Sequence, residues 1–562
     1  MFSEFILRSF TLFQYKNKEM GCCSNRPDPT SEKGLQESTT KSLKSEIEYK
    51  VVAPETSKKR HKNSLKLSKS RRGSFSSAGS SSPRNSKLIS LSTNASYSNS
   101  PRSPSFKNKG FSFEFLKTPI REKYTTVRKL HFGFSGETSL VVDKITGLKR
   151  VIKEVRKLCV PLEIQEMFIL EVQKFLSLDH PNIVKLCEVY ESGKSWYLVY
   201  EHASGMNLLE KLDDEIISSS LACTIIRDIL SGLNYCHRNR IVHHGINLSH
   251  VIVDSKDGKT NCKLVSFSFP WEIEDSIKLN EVTCYIAPEV LDGNCNELAS
   301  DVWSVGVLLY SIIQRKPPFR GKTLADLKLQ YQKGINFEEN NWIFTTNEFK
   351  DILSKMFEID YNKRIDVQNA LEHLWVKNNQ SLLSTPANNG AINRLVEFSS
   401  KDKIARALFS FFKVNLADQN DSRQFIEIFK SLDTNKDGQL TEEELLNETK
   451  NLDIKVQKKL RKIISNADLM KKGYIEFSEF VTACTDWNTD ENIKKFEKAF
   501  RLCDKSGDGQ LSLKELKASI KGIRTKEWAQ FFGVVDADQS GTISFEELKI
   551  FLFGEKITKK PV

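Results

Sequence analysis

Asp504-Lys505-Ser506-Gly507-Asp508-Gly509-Gln510-Leu511-Ser512-Leu513-Lys514-Glu515 is the stretch that fixes the C-terminal fold. Side-chain oxygens stand at its positions 1, 3, 5, 9 and 12, and a backbone carbonyl serves at position 7. A glycine at position 6 permits the sharp turn between them. That order of hard oxygen donors encloses a calcium ion between two helices. The ligands here are Asp504, Ser506, Asp508, the Gln510 carbonyl, Ser512 and Glu515.

The pattern recurs on both sides. Loops begin at Asp433, Asp468, Asp504 and Asp536, so one helix–loop–helix unit is repeated four times between about 420 and 555. The first loop supplies Asp433, Asn435, Asp437, the Gln439 carbonyl, Thr441 and Glu444. The fourth supplies Asp536, Asp538, Ser540, the Thr542 carbonyl, Ser544 and Glu547. Position 8 is apolar in every loop (Leu440, Ile475, Leu511, Ile543), which suits pairing between neighbouring loops. The second loop keeps Asp468, Gly473 and Glu479 but has Met470 at position 3 and Lys472 at position 5. A thioether is a poor ligand for a hard cation and an ammonium repels it. Three calcium sites and one structurally paired, empty or very weak loop are expected.

The 562-residue chain is too long for one core. Its net charge of +12 is unevenly placed. From Thr56 to Lys109 there are thirteen Lys or Arg and no acidic residue. A basic excess confined to a tail points to an anionic lipid surface, not to a nucleic-acid-binding fold. Residues 1–115 read as a disordered, Ser-rich region in which Arg71-Arg72-Gly73-Ser74-Phe75 has the shape of a basic-directed phosphorylation site. Within it, 20–25 reads Met-Gly-Cys-Cys-Ser-Asn. If translation starts at Met20, Gly21 suits myristoylation and Cys22 and Cys23 palmitoylation; if it starts at Met1, Gly21 is internal. Acyl chains together with the basic tail would hold the protein at a membrane. Eleven scattered cysteines without a zinc-type double pair fit a reduced, cytoplasmic chain.

Residues 120–376 alternate apolar runs and turns as in a mixed α/β domain followed by helices. Val151-Ile152-Lys153, Glu171 ahead of Leu178-Asp179-His180-Pro181-Asn182, Ala287-Pro288-Glu289 with Arg364, and Asp301-Val302-Trp303-Ser304 stand in one order. In that order they resemble the protein-kinase family. With its tail, kinase-like domain, junction and four EF-hands, the whole chain resembles calcium-dependent protein kinases. The resemblance implies an α+β, two-lobed kinase fold followed by an all-α, calmodulin-like domain. It also implies that Lys153 and Glu171 form an ion pair, that Gly133 and Gly136 belong to the phosphate loop, and that Glu201 begins the hinge. Phe175, Leu186, His243 and Phe267 would form the apolar stack joining the lobes.

The residues that perform the family's chemistry are replaced. In His243-His244-Gly245-Ile246-Asn247-Leu248-Ser249-His250, Gly245 stands where the proton-accepting Asp belongs, Asn247 where the Lys belongs, and His250 where the metal-binding Asn belongs. Ser266-Phe267-Ser268 replaces Asp-Phe-Gly, so Ser266 stands for the other metal ligand. His131 replaces the first glycine of the phosphate loop. A positioned base is typically worth about 10²- to 10⁴-fold in rate, and the metal ions carry the main electrostatic contribution. Lys153 and Glu171 would then either hold ATP without magnesium or serve as a structural ion pair.

The junction, 385–417, alternates basic and apolar residues. Leu395, Phe398, Ile404, Leu408 and Phe411 can share one helical face, as a helix entering a calcium-opened groove requires. In the resembled family this segment blocks the kinase site at rest. The function expected is a calcium sensor whose impaired kinase domain switches an unidentified protein partner. The alternatives are an active calcium-regulated Ser/Thr kinase with atypical residues, acting on a protein substrate, and a calcium buffer.

Overall fold

The computed structural model describes residues 115–553, apart from 273–283, 379–393, 449–471 and shorter breaks. The acylation motif at 20–25 and the basic tail lie outside the described residues. So do Asp468 and Met470 of the second loop. Among the described residues no helix is long and apolar enough to cross a membrane, and the described cysteines are free.

The N-terminal lobe is one antiparallel sheet of β1 (Tyr124–Phe132), β2 (Glu137–Asp143), β3 (Lys149–Arg156), β4 (Leu186–Glu191) and β5 (Ser195–Glu201), in the order β1-β2-β3-β5-β4. Period-two patterning sends Val151, Val155, Leu198 and Tyr200 to the face covered by the helix Gln165–Leu176. That helix contributes Phe168, Val172 and Phe175 at helical spacing. The second lobe is helical. Its central helix Ser219–Arg238 starts where the Ser218 side chain accepts the Leu221 amide. It then buries one apolar face against the helix Ala299–Gln314. A small sheet pairs β6 (Met206–Asn207), just after the hinge, with β7 (Val251–Lys256), just after the catalytic loop, and β7 with β8 (Lys259–Leu264).

The lobes are joined by the stack the motifs imply. Phe175 and Phe267 rings are 5.0 Å apart and His243 and Phe267 4.3 Å, with Leu186 fully buried beside them. Arg364 grips Glu289 through two bonds of 2.6 and 2.9 Å, both partners buried. Asp301 accepts the backbone amides of His243 and His244 at 2.9 and 3.1 Å and so holds the catalytic loop from below.

In the C-terminal region, β9 (Gln439–Leu440) pairs with β10 (Ile475–Glu476), and β11 (Gln510–Ser512) with β12 (Thr542–Ser544). Leu440 faces Ile475 and Leu511 faces Ile543, so the position-8 residues tie the loops together two by two. The junction helix Lys403–Leu416 packs into this region. Leu395, Phe398, Ile404 and Leu408 are buried in the same cluster as Phe429, Phe480, Phe496 and Trp528. Phe411 is only partly buried; Phe409 and Phe412, which the spacing did not single out, are fully buried.

The first pair of loops also rests on the kinase-like domain. Lys430 reaches Asp228 at 2.8 Å and Asn261 at 3.0 Å. Arg423 pairs with Asp254, and the Ser478 hydroxyl with Asp179. Lys185 binds the same Asp179 at 3.1 Å.

Candidate functional site

Each complete calcium loop is drawn inward by its own backbone. In the first, Asp433 accepts the amides of Asp437 and Gly438 at 3.0 and 2.8 Å. Glu444 accepts the Thr441 amide at 3.0 Å and hydroxyl at 2.9 Å. In the third, Asp504 accepts the Gly509 amide at 2.8 Å and Glu515 the Ser512 amide at 2.9 Å. In the fourth, Asp536 accepts the Gly541 amide at 2.9 Å and Glu547 the Ser544 amide at 2.8 Å. Oxygens of Asp536, Asp538 and Glu547 lie within 4.8 Å of one another. Burial, with Asp437 and Glu444 close by, pushes Asp433 up to about 7. A divalent cation among these carboxylates relieves that repulsion, so the donor set fits calcium.

The second loop has a different balance. The Lys472 ammonium lies 2.7 Å from Glu476, and burial pushes Glu479 up to about 7. A fixed cation at position 5 already compensates the carboxylates a calcium ion would need.

The interlobe cleft encloses a cavity of about 530 Å³ whose walls include Val151, Lys153, Val184, Tyr200, Ala203 and Ile252. That is ample for a nucleotide-sized ligand. Gly133 donates its amide to the Gly136 carbonyl at 2.8 Å, closing the loop over the cleft. A Cβ at Gly136 would fall 2.3 Å from the Glu154 carbonyl oxygen, so the backbone approach there requires glycine. The Glu201 carboxylate turns away to Lys263 at 2.5 Å, leaving its backbone to the hinge. Asn207 caps the helix Leu208–Asp214 by accepting the Glu210 amide at 2.9 Å.

The expected Lys153–Glu171 ion pair is absent. Lys153 Nζ lies 3.7 Å from Glu272 and 3.4 Å from the Phe267 carbonyl, and over the Phe269 ring. Glu171 stays on its helix, where burial raises its carboxyl and Lys174 is the compensating charge. The physical reason is Phe269. It packs 4.9 Å from Phe168 and 5.7 Å from Phe175, beneath the helix that carries Glu171. One turn on, Glu272 accepts the Phe269 amide at 3.1 Å and presents its other oxygen to the lysine. Nothing in the spacing of Glu272 announced this role; it depends on how the chain turns after Ser268.

Asn247 and His250 bond within their own loop. Asn247 accepts the Ser249 and His250 amides at 2.8 and 3.2 Å and donates to the Gly245 carbonyl at 3.2 Å. His250 Nδ1 lies 2.6 Å from the same carbonyl. Burial pushes His250 down to about 3 and His243 to about 4, so both rings are neutral at pH 7. A Cβ at Gly245 would meet the Ser268 hydroxyl at 2.5 Å. His244 and Ser266 hold φ of 61° each, a strained conformation worth about 1–3 kcal/mol that persists only under firm packing. The loop is thus fixed by its own hydrogen bonds and by the Asp301 carboxylate beneath it. Among the described residues the one cluster of three His, Cys, Asp or Glu ligand atoms is in the fourth calcium loop.

A two-lobed kinase domain followed by paired calcium loops defines the class: a protein-kinase fold with its own calcium-binding module. Comparison with known proteins agrees. The Protein kinase domain family matches residues 124–376, and the EF-hand domain pair matches twice, at 423–485 and 493–553. Calcium-dependent protein kinase 4 of Plasmodium berghei is 31% identical over 463 residues, covering 77% of this chain and 87% of the relative. Calcium-dependent protein kinase 19 of Arabidopsis thaliana is 28% identical over 450 residues, covering 76% and 80%. The chain belongs to the calcium-dependent protein kinase family.

Proposed function

We propose that this family member is a calcium-switched pseudokinase, a sensor that regulates a protein partner by binding instead of by phosphoryl transfer. The observation that carries the reading is the catalytic loop. Gly245, Asn247, His250 and Ser266 replace the proton acceptor, the phosphate-steadying lysine and the two metal ligands. Phosphoryl transfer consists almost entirely of positioning and charge neutralisation by metal ions. A cleft with Gly245 at the acceptor position and His250 and Ser266 at the two metal-ligand positions loses both. Lys153, the lysine that the family's pattern retains, is held by Glu272 at 3.7 Å.

Calcium fills the first, third and fourth loops, and the second remains empty because Lys472 occupies its charge balance. The cavity of about 530 Å³ takes an adenine nucleotide without magnesium. Acyl groups near Gly21 and the basic tail place the switch at an anionic membrane.

A thermal-shift titration of ATP with and without magnesium, in calcium and in chelator, tests this. The reading expects any ATP-induced shift to be the same with and without magnesium. A shift that appears only with magnesium would contradict it.

A further inference from the structure

We propose that Arg238, on the kinase-like domain, lowers the calcium affinity of the first loop by sharing its fifth-position carboxylate. Filling that loop and seating it on the kinase-like domain then oppose each other. The inference rests on the reading above that the first loop takes calcium.

The end of the helix Ser219–Arg238 grips the loop at three consecutive positions. At position 4 the Lys436 carbonyl accepts Asn234 Nδ2 at 2.8 Å. At position 5 Asp437 Oδ2 receives Arg238 Nη1 at 2.8 Å. Gln368 Oε1 orients both donors, at 3.1 Å from Asn234 and 3.4 Å from Arg238. At position 6 Gly438, with φ of 75°, faces the stacked rings of His180 and Tyr235. A Cβ there would fall 2.4 Å from His180 Cδ2. Among the described residues the corresponding fifth positions of the other complete loops, Asp508 and Ser540, are exposed and bond only within their own loops.

Both oxygens of Asp437 accept hydrogen bonds in this arrangement. Oδ2 also receives Asn435 Nδ2 at 3.0 Å, and Oδ1 the Gln439 amide at 3.0 Å. A calcium ion needs one of these oxygens at about 2.3–2.6 Å. It would bring two positive charges onto the carboxylate that already carries a guanidinium. The two cations repel each other across it. Coupling of this kind is reciprocal: what docking subtracts from calcium affinity, calcium subtracts from docking. The first loop is therefore a calcium-sensitive latch on the kinase-like domain, whereas the third and fourth loops report calcium without that load.

The test is calorimetric calcium titration of the full chain and three variants. Glu444→Gln identifies the first loop by removing one site. Arg238→Gln, at a side chain 47% exposed and so safe for folding, is expected to tighten that same site about 5-fold. Arg238→Lys, which keeps the charge, should stay within about 2-fold of wild type. Hydrogen exchange at the C-terminal end of the helix Ser219–Arg238 should rise with calcium in wild type and change less in Arg238→Gln. An Arg238→Gln site of unchanged or weaker affinity, or exchange that slows with calcium, would overturn the inference and leave the calcium reading standing. If Glu444→Gln removes no site, the reading of the first loop fails, and the inference with it.

Discussion

The calcium loops and the kinase cleft face one electrostatic problem, gathering oxygens around divalent cations, and they solve it in opposite ways. In the loops the carboxylates remain, and backbone amides hold them in place. In the cleft the backbone remains, with Gly245, His250 and Ser266 where the family's pattern has its acceptor and metal ligands. The difference shows that fold and chemistry are carried by separate residues. The interlobe stack and the Arg364–Glu289 clamp keep the kinase shape, while Asn247 and His250 hydrogen-bond within their own loop.

The sharpest way to break this contrast is to attack the scaffold. Both partners of the Arg364–Glu289 pair are buried, so Arg364→Ala strands a charge and should cost about 3–5 kcal/mol. Denaturant unfolding should show that loss in the kinase-like domain, with calcium affinity of the third and fourth loops unchanged. Next in size, Glu515→Gln or Glu547→Gln removes the twelfth-position bidentate ligand. Each should weaken calcium at its own loop by about 100-fold in a calorimetric titration.

The buried histidines give a smaller, pH-dependent effect. In the folded state His243 titrates at about 4 and His250 at about 3, against about 6.5 in an unfolded chain. The unfolded state binds more protons between these values, so stability is full above about pH 6.5 and falls as pH drops through that window. Each histidine contributes at most about 1.4 kcal/mol per pH unit. Unfolding midpoints measured from pH 7 to 5 should therefore fall less steeply in His250→Asn than in wild type. Asp433 and Glu479, held near 7 by burial, act in the opposite sense and cancel in that comparison. The smallest effect is expected from Gly245→Asp. Restoring the carboxylate alone should give no phosphate incorporation, because its Cβ meets Ser268 and both metal ligands remain absent.

Much of this was legible in the sequence, for a physical reason. Calcium ligation and glycine turns are local, so the twelve-residue loops declare themselves. Leu440 and Ile475, and Leu511 and Ile543, meet across strands as their shared position 8 implies. The apolar junction residues also show their helical face. Contacts set by the tertiary path were not legible. Glu272 reaches Lys153 only through the turn after Ser268. Arg238 and Asp437 are 199 residues apart, and no local periodicity brings them together. The Lys153–Glu171 expectation failed for the same reason: motif order specifies which residues are present, and Phe269 decides which of them touch.

The central claim is tested most directly by radiolabelled phosphotransfer from ATP, with the full chain in calcium and magnesium and a generic protein substrate. The account predicts no incorporation above that of Lys153→Ala. Incorporation that depends on calcium and disappears in Lys153→Ala would contradict it.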